Sequence, residues 1–172
     1  MIRLILAVFS LSLISAAPIY AQKNELSLSA GGGRLVGDTE SRSASAYTLA
    51  YTRYLTDQWA VEGGLELFFV TADDNLGVQA AVLYHFRPTG KDQRWTPYLT
   101  AGIGNTSTDP TEIPSVVVIR LGGGLKYFFG QSQKFGLRFE ARNEIIGKDN
   151  TVFFPQTRIN FPSARVGVIY RF

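Results

Sequence analysis

The chain has 172 residues, 45% of them hydrophobic and 18% charged, with a formal net charge of +3. Its 17 basic residues, 16 without Arg3, stand against 14 acidic ones and form no basic block, which argues against a nucleic-acid partner. With no cysteine there is no disulfide framework or thiol chemistry, and no apolar stretch reaches the roughly 20 residues of a membrane-spanning helix.

Arg3 opens a short positive region, residues 4–14 are an apolar run followed by Ala16, Ala17 and Pro18, and Ala21 with, less ideally, Ile19 fits a signal-peptidase site. The expected organisation is a cleaved secretory signal over residues 1–21 and one domain over residues 22–172. In that domain aromatics and glycines are abundant and amphipathic helical runs are absent, so the class is all-β.

Period-two alternation predicts eight strands. The first, residues 24–33, sets Leu26, Leu28 and Ala30 against Glu25, Ser27 and Ser29. The second, 46–55, is ambiguous in phase, and a bulge would be needed to put Tyr51 and Tyr54 on one face. The third, 59–71, sets Val61, Gly63, Leu65, Leu67 and Phe69 against Glu62 and Glu66. The fourth, 76–86, turns Val78, Ala80, Val82, Tyr84 and Phe86 away from Gln79 and His85. The fifth, 97–104, carries Leu99, Ala101 and Ile103, and the sixth, 115–129, opposes Val117, Ile119, Leu121, Leu125, Tyr127 and Phe129 to Arg120 and Lys126. The seventh, 135–146, opposes Phe135, Leu137, Phe139 and Ala141 to Arg138, Glu140, Arg142 and Glu144. The eighth, 164–172, opposes Ala164, Val166, Val168, Tyr170 and Phe172 to Arg165, Gly167, Ile169 and Arg171. Short polar connections at 56–58 and 130–134 alternate with longer ones at 34–45, 105–114 and 147–162. The connections at 87–96 and 72–75 depart from that alternation.

Eight such strands close into an antiparallel up-and-down barrel, and two features favour a membrane barrel over a soluble one. Tyr54, Trp59, Tyr84, Phe86, Tyr98, Tyr127, Phe128, Phe129, Phe135, Tyr170 and Phe172 gather at the same end of successive strands, as an interfacial aromatic girdle requires. The other face is charged at mid-strand. In a lipocalin-like apolar cavity Glu62, Arg120, Glu140 and Arg142 would each cost roughly several kcal/mol in desolvation, whereas in a narrow membrane barrel they pair across the lumen.

The chain resembles the small eight-stranded outer-membrane proteins typified by the transmembrane domain of outer membrane protein A and grouped with opacity-type porins. The resemblance rests on Tyr-Leu-Thr-Asp-Gln-Trp at 54–59, Arg-Trp-Thr-Pro-Tyr at 94–98, Gly-Gly-Gly-Leu-Lys-Tyr-Phe at 122–128, Leu-Arg-Phe-Glu-Ala-Arg at 137–142 and the terminal strand. It implies an eight-stranded transmembrane β-barrel in the outer membrane of a Gram-negative cell envelope, with short periplasmic turns and longer external loops. It also implies that Tyr170 and Phe172 belong to the signal read by the barrel-assembly machinery. The expected partners are outer-membrane lipid and lipopolysaccharide, that machinery, and a host or surface ligand reached through the loops; the chain is expected to be a monomer.

For chemistry the sequence offers little. His85 is the single histidine, lacks the His-x-Ser arrangement of the lipid A deacylases, and reads as a satisfied interior residue. One histidine and no cysteine give no support to a metal site, and no cofactor is expected. The glycine triplets at 31–33 and 122–124 are not phosphate loops, because no helix and no Lys-Ser/Thr follow. The inward charges Glu62, Glu66, Arg120, Lys126, Arg138, Glu140, Arg142, Glu144, Arg165 and Arg171 leave two readings open: a structural plug of paired charges, or a minor polar conduit with a slight anion preference. The apolar residues Val152, Phe153, Phe154, Ile159 and Phe161 of the last loop likewise fit adhesion or an extended outer girdle. The expected role is structural or surface-interacting and non-enzymatic, with a small-solute pore and a lipid-modifying enzyme as alternatives.

Overall fold

The computed structural model describes residues 24–36, 41–70, 73–86, 94–107, 116–147 and 158–172. Eight antiparallel strands close on themselves in chain order: β1 (Asn24–Val36), β2 (Ser41–Tyr54), β3 (Trp59–Val70), β4 (Asp73–His85), β5 (Trp95–Ser107), β6 (Val116–Phe128), β7 (Phe135–Gly147) and β8 (Arg158–Arg171). The ends meet at one rim, where Asn24 and Phe172 exchange two backbone hydrogen bonds of 3.0 and 2.9 Å. The expected signal, residues 1–21, lies outside the described residues, as do Val152, Phe153 and Phe154.

The register defines the barrel's geometry. Cross-strand partners run Leu26, Tyr51, Gly63, Ala80, Ile103, Ile119, Ile145, Asn160 and back to β1 at Val36, ten residues beyond the start. Ten residues of about 3.3 Å against eight spacings of about 4.8 Å tilt the strands by about 40°. The backbone cylinder is then about 16 Å across, which side chains alone can fill. Each step to the next strand along such a row climbs about 3 Å.

Turn chemistry at the short connections suits this register. Thr56 Oγ1 accepts from the backbone N–H groups of Gln58 and Trp59 at 3.2 and 2.9 Å, holding the β2–β3 turn. In the β6–β7 turn Gly130 takes φ 63°, a left-handed conformation for which glycine carries no steric cost.

Burial is inverted relative to a water-soluble protein. Ile103 is 63% exposed and Phe135 62%, while Glu66, Lys126 and Glu144 are fully buried. The strands are apolar outside and charged inside.

Three corrections to the sequence reading follow. Tyr54, Tyr98 and Phe128 do not belong to the girdle: Tyr98 and Phe128 are buried in the lumen and Tyr54 turns its hydroxyl inward to Glu25. β2 needs no bulge, since its unbroken register puts Tyr47, Leu49 and Tyr51 outside and Tyr54 inside. Ile159 and Phe161 are not loop residues, because β8 begins at Arg158 and Phe161 is a fully buried lumenal side chain. The strands run further outward than the alternation of their central residues suggested, notably β1 to Val36 and β5 to Ser107.

Candidate functional site: the lumenal charge network

Strand parity alone aims these side chains inward, and the 40° tilt brings residues distant in sequence into three stacked tiers. At the rim where the two ends of the barrel meet, Glu25 of β1 accepts from Lys126 Nζ at 2.6 Å, from Arg171 Nη2 at 2.8 Å and from the Tyr54 hydroxyl at 2.8 Å. Lys126 also donates to the Tyr54 oxygen at 3.2 Å, and the Arg171 guanidinium lies 3.6 Å from the centroid of the Phe128 ring. His85 Nε2 is 3.3 Å from that same Tyr54 oxygen, and its Nδ1 is 3.4 Å from the carbonyl of Gln58. No serine appears among these partners of His85.

The middle tier is built on Arg138. Its Nη1 and Nη2 bind both oxygens of Glu62 across the lumen at 2.5 and 3.1 Å, and Nη2 also binds Glu140 at 2.5 Å. The Tyr98 hydroxyl donates to Glu140 at 2.5 Å and accepts from Arg138 Nε at 2.8 Å, and Thr52 completes Glu62 at 2.8 Å.

The outer tier centres on Glu66. It accepts from Arg120 at 2.7 Å, from Arg142 at 2.5 Å, from Arg165, and from Thr48 at 3.3 Å. The same three arginines share Glu144: Arg165 at 2.7 Å, Arg142 at 2.8 Å and Arg120 at 3.5 Å. Arg142 joins this tier to the one below through Glu140 at 3.5 Å. Between them lies a cavity with room for about one water, 10 Å³ for its centre, lined by Ser27, Ser29, Thr48, Glu62, Gln79, Glu140 and three arginines. Above the outer tier an apolar cap of Ala44, Ala46, Phe68 and Phe161 closes the mouth, the two rings meeting edge-to-face at 5.8 Å.

All ten sequence-nominated lumenal charges thus find partners inside the barrel: eight lie in the joined middle and outer tiers, while Lys126 and Arg171 share Glu25 below them, with the Lys126 ammonium 5.4 Å from the centroid of the Tyr98 ring. The nominated set left out Glu25 and Gln79, although alternation puts both on the polar face, and sequence reasoning missed Tyr54, Tyr98, Thr48 and Thr52 as lumenal partners. For Glu25 and Tyr98 the signal was present: Glu25 alternates with Leu26, and the outward set Leu99, Ala101 and Ile103 turns Tyr98 inward. Among the described residues no group of three or more His, Cys, Asp or Glu side chains could hold a metal ion. Tyr170 and Phe172 sit on the outer surface at the same rim as Glu25, 40% and 56% exposed, with rings stacked at 5.8 Å.

A closed antiparallel barrel with a hydrocarbon-like exterior, a ring of outward aromatics at one end and its charges paired inside belongs in a lipid bilayer, where only helices and closed barrels leave no backbone group unpaired. This chain belongs to the outer membrane protein beta-barrel domain family, whose model matches residues 4–172. Comparison with curated proteins finds no match. Among solved structures the chain is similar to Neisserial surface protein A, at 18% identity and TM-score 0.65, covering 87% of this chain and 97% of that one. It is also similar to the N-terminal β-barrel domain of Pseudomonas aeruginosa OprF, at 18% identity and TM-score 0.59, with 88% and 99% covered. The outer membrane enzyme PagL matches at 15% identity and TM-score 0.57, with 82% and 97% covered. At such identities these likenesses establish the fold, and the family places the chain in the outer membrane.

Proposed function

We propose that this protein is a non-enzymatic, structural outer-membrane barrel whose lumen is plugged by paired charges and whose contacts with surfaces or ligands are made by its external loops. The observation that carries this reading is the three-tier network: six cations and five carboxylates, tied across the lumen and covered by the Phe68–Phe161 cap. A hydrated ion crossing the barrel would have to break contacts to Glu25, Glu62 and Glu66 in turn, each a buried charge-assisted interaction. In planar bilayers the refolded protein is expected to show no large, stable conductance steps; such steps would defeat the plugged reading and favour a small-solute pore.

That runner-up draws on the water-sized cavity beside Ser27 and Ser29, where the wall of β1 is least bulky. The enzyme reading is the weaker one: His85 is engaged by Tyr54 and the Gln58 carbonyl, so it lacks the nucleophile that hydrolysis of a lipid would require. Export by a cleaved signal over residues 1–21, delivery by the barrel-assembly machinery through Tyr170 and Phe172, and a monomeric state in contact with lipopolysaccharide complete the proposal.

A further inference from the structure

The lipid-facing wall is not uniform around the barrel. On the register-derived scale, with Leu26 at zero, the periplasmic girdle of Trp59, Phe86, Tyr127 and Phe135 centres about 5 Å below, which puts the outer edge of a roughly 25 Å apolar band about 20 Å above. On β3 and β4 that band is filled to the top by Leu65, Leu67, Phe69, Val78 and Leu76, all exposed. On β7, β8 and β1 it is not. Asn143 faces lipid at about 14 Å, inside the band, and Arg34 and Asn160 stand exposed at its edge at about 20 and 22 Å.

These three residues surround one point on the sheet. Pro162 pairs with Asn143 of β7, and on its other side the β1–β8 ladder skips Arg34 and Leu35 before resuming at Val36–Asn160. Proline has no N–H to give Arg34, so the Arg34 carbonyl loses its partner on β8. No described residue pairs with the Arg34 guanidinium or the Asn143 amide, and an amide in hydrocarbon without a hydrogen bond is costly. Just below, Gly32, Ala164 and Ala141 are consecutive cross-strand partners, so the wall is recessed beneath the polar trio.

We infer that this recess holds a phosphate-bearing lipid of the outer leaflet, its phosphate on Arg34, its hydroxyl or amide groups on Asn143 and Asn160, and one chain over Gly32, Ala164 and Ala141. Charge selects this occupant over a second copy of the chain. Among the described strand residues the carboxylate at an outward register position is that of Asp74 on β4, opposite Phe69 and three strands away from Arg34, so a two-fold contact through this face would bring Arg34 towards its own copy and not towards a carboxylate. The inference rests on the outer-membrane placement and not on whether the lumen conducts.

The test uses the full mature chain refolded in phosphatidylcholine vesicles containing either diphosphorylated lipid A or the same lipid dephosphorylated, then released into mild detergent for native mass spectrometry. The expected result is one retained diphosphorylated lipid A per barrel, retained at least about fivefold less by Arg34→Gln and by the dephosphorylated lipid, with Arg34→Lys retaining it and Asn143→Leu weakening it. Arg34 is exposed, so its variants fold, and each is checked for the gel-mobility shift on heating. The inference is overturned if the wild type retains no lipid A, if Arg34→Gln retains it as well as wild type, or if phosphorylation makes no difference. A dimer lost on the same substitution would overturn it in favour of a second copy.

Discussion

Replacing Glu66 by glutamine removes the charge on which the outer tier converges while keeping its shape. Glu66 is fully buried and accepts from Arg120, Arg142, Arg165 and Thr48. The amide can still accept through one oxygen, but its NH₂ faces guanidinium donors. The tier changes from three cations over two carboxylates to three over one. Breaking a buried ionic cluster by removing one partner costs about 3–5 kcal/mol, because the remaining charges stay desolvated and unpaired. The assay is equilibrium urea unfolding in lipid vesicles, followed by the fluorescence of Trp59 and Trp95, whose rings leave the lipid interface on unfolding. The double variant Glu66→Gln with Arg165→Gln returns the tier to one excess positive charge. It is expected to lose less than the two single losses added, with a coupling of about 1–3 kcal/mol. A Glu66→Gln loss under about 1 kcal/mol, or strict additivity with Arg165→Gln, would refute the view that this cluster acts as one electrostatic unit.

Other expectations concern conduction, packing and assembly. Glu140→Ser with Arg142→Ser keeps the net charge while removing the one ionic link among the described residues between the middle and outer tiers, together with the bonds of these two residues to Arg138, Glu66 and Glu144; it should open the lumen beside Ser27 and Ser29 and produce conductance steps in planar bilayers that the wild type lacks. Gly124→Ala should destabilise by about 1–3 kcal/mol, since its new methyl would lie 2.2 Å from the Phe139 carbonyl oxygen and 2.6 Å from the Tyr98 hydroxyl. Gly63→Ala, with nothing closer than 4.0 Å, should stay within about 0.5 kcal/mol, both read by the same urea titration. Phe172→Ala keeps the backbone bonds to Asn24, so refolding in vitro should be unaffected while the yield in the outer membrane of cells falls, as measured by the heat-shifted band. Equal yields would argue against an assembly role for the terminal ring.

Much of the architecture was legible because a strand has a period of two and a membrane barrel has two unlike faces, so alternation in β3, β4, β6 and β7 reports directly which side meets lipid. Charges at Glu62, Arg120, Arg138 and Glu140 could only point inward, and every such residue does. Legibility failed at the strand ends. In Tyr127-Phe128-Phe129 consecutive aromatics serve both faces, Tyr127 and Phe129 at the interface and Phe128 under Arg171, so clustering at one end of the chain's strands does not distinguish a girdle from a plug. At Tyr54 and Tyr98 an aromatic body carrying a hydroxyl suits either a headgroup layer or a carboxylate inside, and only the facing residues, Glu25 and Glu140, decide.

The sequence by itself determined the class, the strand count, the face of nearly every charge and the aromatic close at Phe172, all of which are properties of single strands. Only the tertiary structure decided the ten-residue offset of closure, and with it which carboxylate meets which guanidinium, why Glu25 joins Lys126 of β6, and why Phe161 caps the mouth instead of lying in a loop. Alternation records the face of a residue but not its height, and height arises when the tilted strands close on one another.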